Sequence, residues 1–188
     1  MNVIKTNVLD VYIFEPQVFG DTRGWFMETW SKREMDKLGL QYNFVQDNQS
    51  FSAQKGTLRG LHFQKGKAAQ AKLVRCVKGI VLDVAIDLRK GSPTYKRWEA
   101  VELSGENKRQ LLIPRGFAHA FLTLTNDVEF IYRVDNDYCP EAERSIKWND
   151  EELNIAWGID DPILSAKDAK APKFCDSDAD FIYEGKEK

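Results

Sequence analysis

Thr57-Leu58-Arg59-Gly60-Leu61-His62-Phe63-Gln64 reads as a β-strand with a glycine at its centre, and it carries one of only two histidines in 188 residues. The other, His119, lies in a segment of similar make, Ile113-Pro114-Arg115-Gly116-Phe117-Ala118-His119-Ala120-Phe121. A lone histidine in an apolar strand fits a core hydrogen bond as well as it fits chemistry, so the surroundings of the pair must decide. Strict alternation groups His62 with Leu58, Gly60 and Gln64 and turns Arg59 to the opposite face. His62 and Arg59 can line one pocket only through an irregular strand, and Gly60 between them is the natural bulge position.

Outward from this stretch the pattern stays β. Lys72 to Val77 and Ile80 to Leu88 flank Lys78-Gly79, which reads as a tight hairpin turn. In that pairing Lys72, Val74 and Cys76 share a face with Val81, Asp83, Ala85 and Asp87, within diagonal reach of an ion pair from Lys72 to either acid. Gly91-Ser92-Pro93 ends the hairpin. Trp98 to Leu103, Gln110 to Ile113, Ala118 to Thr125 and Glu129 to Val134 add short strands separated by turn residues. Many short strands with regular turns indicate a β-sandwich or barrel.

The flanks are less regular. Val8 to Phe19, broken by Pro16, reads as an edge strand or arm. Asp21-Thr22-Arg23-Gly24 is a turn, followed by an aromatic strand from Trp25 to Trp30. Ser31 and Glu34 have capping-box spacing ahead of a helix that Gly39 can close, and Phe44 to Gln49 is short and polar. Near the other end, Asn149-Asp150-Glu151-Glu152-Leu153 predicts a short capped helix. The chain reads as one domain over 1–188: an arm at about 1–50, a β-sandwich or barrel core at about 51–138, and a helical or irregular segment at about 139–188.

Composition narrows the function classes. A net charge of −2 gives no reason to expect nucleic acid or a charged membrane surface as partner. No apolar run is long enough to span a bilayer, and the N-terminus lacks a signal core. Cys76, Cys139 and Cys175 have no metal-ligand spacing, and reduced thiols in the cytoplasm are their simplest account.

Pro114-x-Gly116-x-x-His119 resembles the second motif of the cupin superfamily of jelly rolls. Against the first cupin motif, Gln64 stands where a second histidine belongs and Lys72 where a glutamate belongs. An ammonium is a poor neighbour for a divalent cation, so the metal site reads as dismantled. What remains suits proton abstraction next to a carbonyl: an imidazole as base and a lysine to stabilise the enolate. A second proton carrier on the far face converts abstraction into inversion, and Tyr132 in Phe130-Ile131-Tyr132-Arg133-Val134 is available for it. An interior tyrosine with a satisfied hydroxyl explains that position as well.

Taken together, five motifs in order resemble the dTDP-4-dehydrorhamnose 3,5-epimerase family. They are Gly60 to Gln64, Lys72 to Gly79, Asp83 to Ser92, Ile113 to His119, and Leu164-Ser165-Ala166-Lys167-Asp168. The resemblance runs from about Val8 to Asp168 and implies an all-β cupin-type jelly roll with short peripheral helices. It implies a cofactor-free, metal-independent isomerase that inverts C3 and C5 of a dTDP-4-keto-6-deoxy-hexose in deoxysugar synthesis. By the same resemblance His62 is the base in a dyad with Asp168, Tyr132 the acid, and Lys72 the enolate stabiliser. Substrate contacts carried over are Arg23, Glu28, Gln46, Asn48, Arg59, His119, Tyr138, Glu143 and Lys167. It further implies a homodimer with exchanged N-terminal strands, so that Arg23 and Glu28 serve the neighbouring subunit's site. Arginine forks suit a diphosphate, and Tyr138 suits stacking on thymine.

Two other readings stand beside this one. A metal-dependent cupin would use His62 and His119 as ligands, and a chelator would then stop its activity. A cupin that only binds a sugar nucleotide would leave the hydrogens at C3 and C5 unexchanged in deuterated water.

Overall fold

A computed structural model describes residues 1–185 of the chain, and the last three positions of the C-terminal segment lie outside the described residues. The strands are β1 (Asn2–Lys5), β2 (Tyr12–Glu15), β3 (Val18–Asp21) and β4 (Gly24–Met27), followed by helix α1 (Lys32–Lys37). Next come β5 (Gln46–Ser52), β6 (Leu58–Gln64), β7 (Lys72–Lys78), β8 (Ile80–Asp87) and β9 (Trp98–Ser104). They are followed by β10 (Gln110–Ile113), β11 (Phe117–Thr123), β12 (Val128–Val134) and β13 (Glu143–Ser145). A six-stranded sheet in the order β1-β2-β10-β7-β12-β5 faces a five-stranded sheet in the order β13-β6-β11-β8-β9, and β3 and β4 form a separate ribbon. The fold is the expected all-β jelly roll. Segment 1–50 is more than an arm, because β1, β2 and most of β5 are built into the larger sheet.

The hairpin expected across Lys78-Gly79 does not form. β7 pairs with β10 and β12, whereas β8 pairs with β11 and β9, so the chain crosses from one sheet to the other at this corner. Gly79 makes the corner possible: it has φ +79°, and a Cβ there would stand 2.7 Å from Thr125 Oγ1. The grouping of side chains survives the change, because the expected shared face is the interior between the sheets. Val74 and Cys76 from β7 meet Val81 and Ala85 from β8 in one core with Phe121 and Phe130, whose rings stack with centroids 4.3 Å apart. Of the two acids expected near Lys72, Asp83 faces this interior, while Asp87 is taken up by Arg89, Ser92 and Thr94.

Two further apolar layers close the outer faces. Val84 and Ile86 of β8, and Leu88 just beyond it, lie under Ile146, Leu153, Trp157 and Phe174 of the C-terminal segment. Leu73 and Leu112 lie under Phe14 and Met35, which seats α1 on the larger sheet. Truncating such a fully buried leucine costs about 2–5 kcal/mol, so these layers fix where the flanking segments lie.

Local departures from the expected elements have physical causes. Ser31 precedes α1 but makes no side-chain cap, and Glu34 is drawn instead to Lys37 at 2.9 Å. Gly39, at φ +73°, ends the helix as expected. Residues 149–153 form turns and not a helix, although Asp150 Oδ1 still caps the amides of Glu152 and Leu153. With Leu153 and Trp157 fully drawn into the outer apolar layer, packing decides the backbone there.

Candidate active site

β6 has the irregularity that its glycine predicts. His62 lies opposite His119 and Arg59 opposite Phe121, so three residues of β6 span what β11 spans in two. The extra residue reverses the alternation: Leu58, Leu61 and Phe63 pack on the outer layer, while Arg59 and His62 both face the interior. Only glycine fits the crossing, since a Cβ on Gly60 would stand 2.2 Å from Ala120 Cβ. Arg59 therefore stays in the site, its guanidinium held by Ser52 Oγ at 3.2 Å and the Phe51 carbonyl at 3.0 Å.

The open end of the sandwich is a cleft. One lobe, of about 380 Å³, is lined by Arg59, His62, Lys72, His119, Tyr132 and Asp168 among others. An adjoining lobe of about 310 Å³ shares His62, Lys72 and Tyr132 and adds Gln46, Asn48, Tyr138 and Glu143. His62 comes from the smaller sheet, and Tyr132 and Lys72 from the larger one. The imidazole and the phenol thus border one space from opposite walls. Lys72 Nζ lies 5.9 Å from the centroid of the Tyr132 ring.

Each group is tuned by its neighbours. His62 Nε2 lies 2.6 Å from Asp168 Oδ1, and Asp168 is only 3 % exposed. Burial raises the Asp168 carboxyl, but hydrogen bonds from His62 and Ser165 outweigh it and hold the group below its ordinary range. An ionised Asp168 accepts a hydrogen bond from the Nε2–H of His62, which leaves Nδ1 as the basic atom. Burial pushes Lys72 down to about 8, against the pull of Asp83 and Glu143. Burial also raises the Tyr132 phenol, partly offset by Arg59, so it remains a proton donor. His119 is buried against Asp83, with Nε2 2.9 Å from Oδ2, and burial lowers its pKa.

At the rim, Glu143 accepts from Lys167 Nζ at 2.6 Å and from the Tyr138 hydroxyl at 2.9 Å. Gln46 Nε2 donates to Asn48 Oδ1 at 2.7 Å on β5. Arg23 and Glu28 are not brought to this cleft: Arg23 sits at the tip of the β3–β4 ribbon against Asp21, and both are exposed. Gln64, aligned above with a lost metal ligand, ties loops together by donating to the Ala68 and Asp137 carbonyls and accepting from the Cys139 amide. Among the described residues no three His, Cys, Asp or Glu side chains are grouped to hold a metal ion.

Residues 5–176 match the family model described as dTDP-4-dehydrorhamnose 3,5-epimerase. The chain belongs to this family. It is an enzyme of the carbohydrate isomerase class. It is 54 % identical over 179 residues to the dTDP-4-dehydrorhamnose 3,5-epimerase of Shigella flexneri, covering 95 % of this chain and 98 % of the relative. It is 56 % identical over 174 residues to that of Salmonella typhimurium, covering 92 % and 94 %. The crystal structure of the Legionella pneumophila dTDP-6-deoxy-D-glucose-3,5-epimerase in complex with dTDP-4-keto-L-rhamnose superposes with a TM-score of 0.91 at 45 % identity, covering 98 % of this chain and 99 % of that one.

Sequence reasoning placed Asp83 within ion-pair reach of Lys72 but assigned it no part in the site and did not pair it with His119, beside which it is wholly buried at an inward position of the otherwise apolar β8. It gave Ser165 no role. Ser165 supports Asp168 by accepting its backbone amide at 3.1 Å, and its signal was a serine three residues before an acid.

Proposed function

We propose that the chain epimerises a dTDP-4-keto-6-deoxy-hexose at C3 and C5 by proton transfer across the cleft. His62 Nδ1 takes the proton from a carbon beside the C4 ketone, and the electron pair moves onto the ketone oxygen. The Lys72 ammonium stabilises that enolate oxygen. The Tyr132 phenol then delivers a proton to the opposite face of the carbon, the carbonyl re-forms, and the centre is inverted. Both carbons flank C4, so one lysine serves both steps. Solvent exchange returns a proton to Tyr132 and removes one from His62, which completes the cycle.

The observation that carries this reading is the placement of His62 and Tyr132 on opposite walls of one cleft, with Lys72 between sheets beside them. Arg59 and Lys167 supply positive charge for the diphosphate, and the exposed Tyr138 ring offers a stacking face for thymine. Gln46, Asn48, His119 and Glu143 line the same space and supply hydrogen bonds. Metal independence is supported by the donor set: both histidines are engaged by carboxylates, and an ammonium sits beside them.

The working unit is a homodimer of single cupin-like domains that exchange the β3–β4 ribbon. Phe19, Trp25 and Phe26 support this, being 56 %, 59 % and 70 % exposed on a ribbon that pairs with neither main sheet. In the exchanged arrangement Arg23 and Glu28 reach the neighbour's cleft. Three unpaired cysteines support a reducing compartment, the cytoplasm. The test is product analysis by NMR with the dTDP-4-keto-6-deoxy-glucose substrate, with and without a chelator. The expected result is a sugar inverted at both carbons at an unchanged rate after chelation. Absence of product, or its loss on chelation, contradicts the reading.

A further inference from the structure

Asp83 is an acid shut off from the surface. It is 0 % exposed, and its Oδ2 accepts from His119 Nε2 at 2.9 Å while Oδ1 has no hydrogen-bond partner. The strand register explains the pairing. Asp83 lies directly opposite Phe121 and His119 opposite Ala85, so acid and imidazole are diagonal neighbours on the inward face of β8 and β11. A buried carboxylate must be balanced by nearby positive charge, and the cation that feels Asp83 is Lys72 on the facing sheet.

We infer that Asp83 is a positioning residue of the reaction: its carboxylate keeps Lys72 in the ammonium form beside the cleft and fixes His119 with its proton on Nε2. This rests on the role proposed above for Lys72 as the charge that stabilises the enolate. The titratable and charged groups around Lys72 are Asp83 from β8, His119 from β11, His62 and Arg59 from β6, Tyr132 from β12, Glu143 from β13, and Lys167 and Asp168 from the C-terminal segment. β10, paired with the other edge of β7, brings no titratable group. Asp168 is engaged by His62, and Glu143 by Lys167 and Tyr138 at the rim, so Asp83 is the interior acid whose charge acts on Lys72. A neutral His119 donating through Nε2 keeps a second cation away from Lys72 and leaves Nδ1 unprotonated as an acceptor.

The sign follows directly. Burial lowers Lys72 to about 8 even with Asp83 present, so removing the acid lowers it further. The alkaline limb of kcat, where Lys72 loses its proton, then moves to lower pH.

The test is the pH profile of kcat and KM for Asp83→Asn and Asp83→Glu, with thermal unfolding as a check on folding. For Asp83→Asn we expect a limb displaced downward by about one unit, with a kcat loss on the order of tenfold above neutral pH that shrinks on acidification. KM should stay within a few-fold. Asp83→Glu keeps the charge and should keep the wild-type limb. A purely structural role would lower kcat equally at every pH in both variants. An Asp83→Asn limb that coincides with the wild-type limb, or an Asp83→Glu limb displaced like that of Asp83→Asn, overturns the inference. If Asp83→Asn does not fold, the glutamate variant decides alone: a retained limb with kcat near the wild-type value supports the inference, and a displaced limb or a kcat lowered equally at every pH overturns it. Failure of the underlying reading looks different, because the wild-type enzyme itself would then show no proton exchange at the sugar.

Discussion

The Nε2 atom of His62 and the Oδ1 atom of Asp168 lie 2.6 Å apart, joining a strand of the smaller sheet to a short 3-10 turn 106 residues later in the chain. The contact orients the imidazole and decides which nitrogen is basic. It also makes the C-terminal segment part of the site, since Asp168 follows Leu164, which packs in the outer apolar layer with Ile146 and Trp157. Replacing Asp168 by Asn keeps shape and removes charge. We expect kcat to fall roughly 10²–10⁴-fold with KM little changed, as measured by steady-state kinetics. An equal rise in KM would mean that the residue binds substrate instead.

Tyr132→Phe removes only the proton that the phenol is proposed to deliver. Half-buried on β12, the ring keeps its contact with Phe130, at a centroid separation of 6.4 Å, so folding should be unaffected. Deuterium should still wash into the sugar through His62, while formation of the inverted product falls steeply. Equal loss of both would make Tyr132 a binding residue.

The proposed exchange of the β3–β4 ribbon makes a prediction that neither variant shows alone. Arg23→Ala and His62→Ala should each be nearly inactive. Mixed and allowed to re-associate, they should recover activity, because one cleft of each mixed dimer then has both an intact His62 and a partner's Arg23. Lack of recovery in a mixture shown to form mixed dimers contradicts the exchange.

Gly60→Ala tests the bulge. The added methyl would meet Ala120 Cβ at 2.2 Å and the His119 carbonyl at 2.8 Å, both on the neighbouring strand. We expect a loss of about 1–3 kcal/mol in denaturant unfolding, with activity reduced because Arg59 and His62 are displaced together. A stability within 0.5 kcal/mol of the parent would contradict the packing described, since that is the range of inconspicuous surface changes, about ±0.5 kcal/mol.

How far the chain could be read in advance depended on which interactions were local. Turn residues and apolar alternation marked most strands, and Gly60 marked the bulge because only a glycine between two inward residues makes sense of both. Lys78-Gly79 misled because a two-residue turn looks the same in sequence whether it returns the chain to the same sheet or carries it to the facing one. The faces were still right, since side-chain period does not depend on which strand is the neighbour. Asn149 to Leu153 carried helix-capping residues, but Leu153 and Trp157 found more apolar surface to bury as a turn. Asp83 was legible as a neighbour of Lys72 from side-chain period, but its hydrogen bond to His119 was not, because that partner comes from a strand far along the chain.

The most direct measurement follows hydrogen at C3 and C5 of dTDP-4-keto-6-deoxy-glucose by NMR in deuterated water, with the wild-type enzyme beside His62→Ala. The account predicts that both positions become deuterated with the wild type and that exchange falls to the uncatalysed rate in the variant. Near-normal exchange with His62→Ala would contradict it.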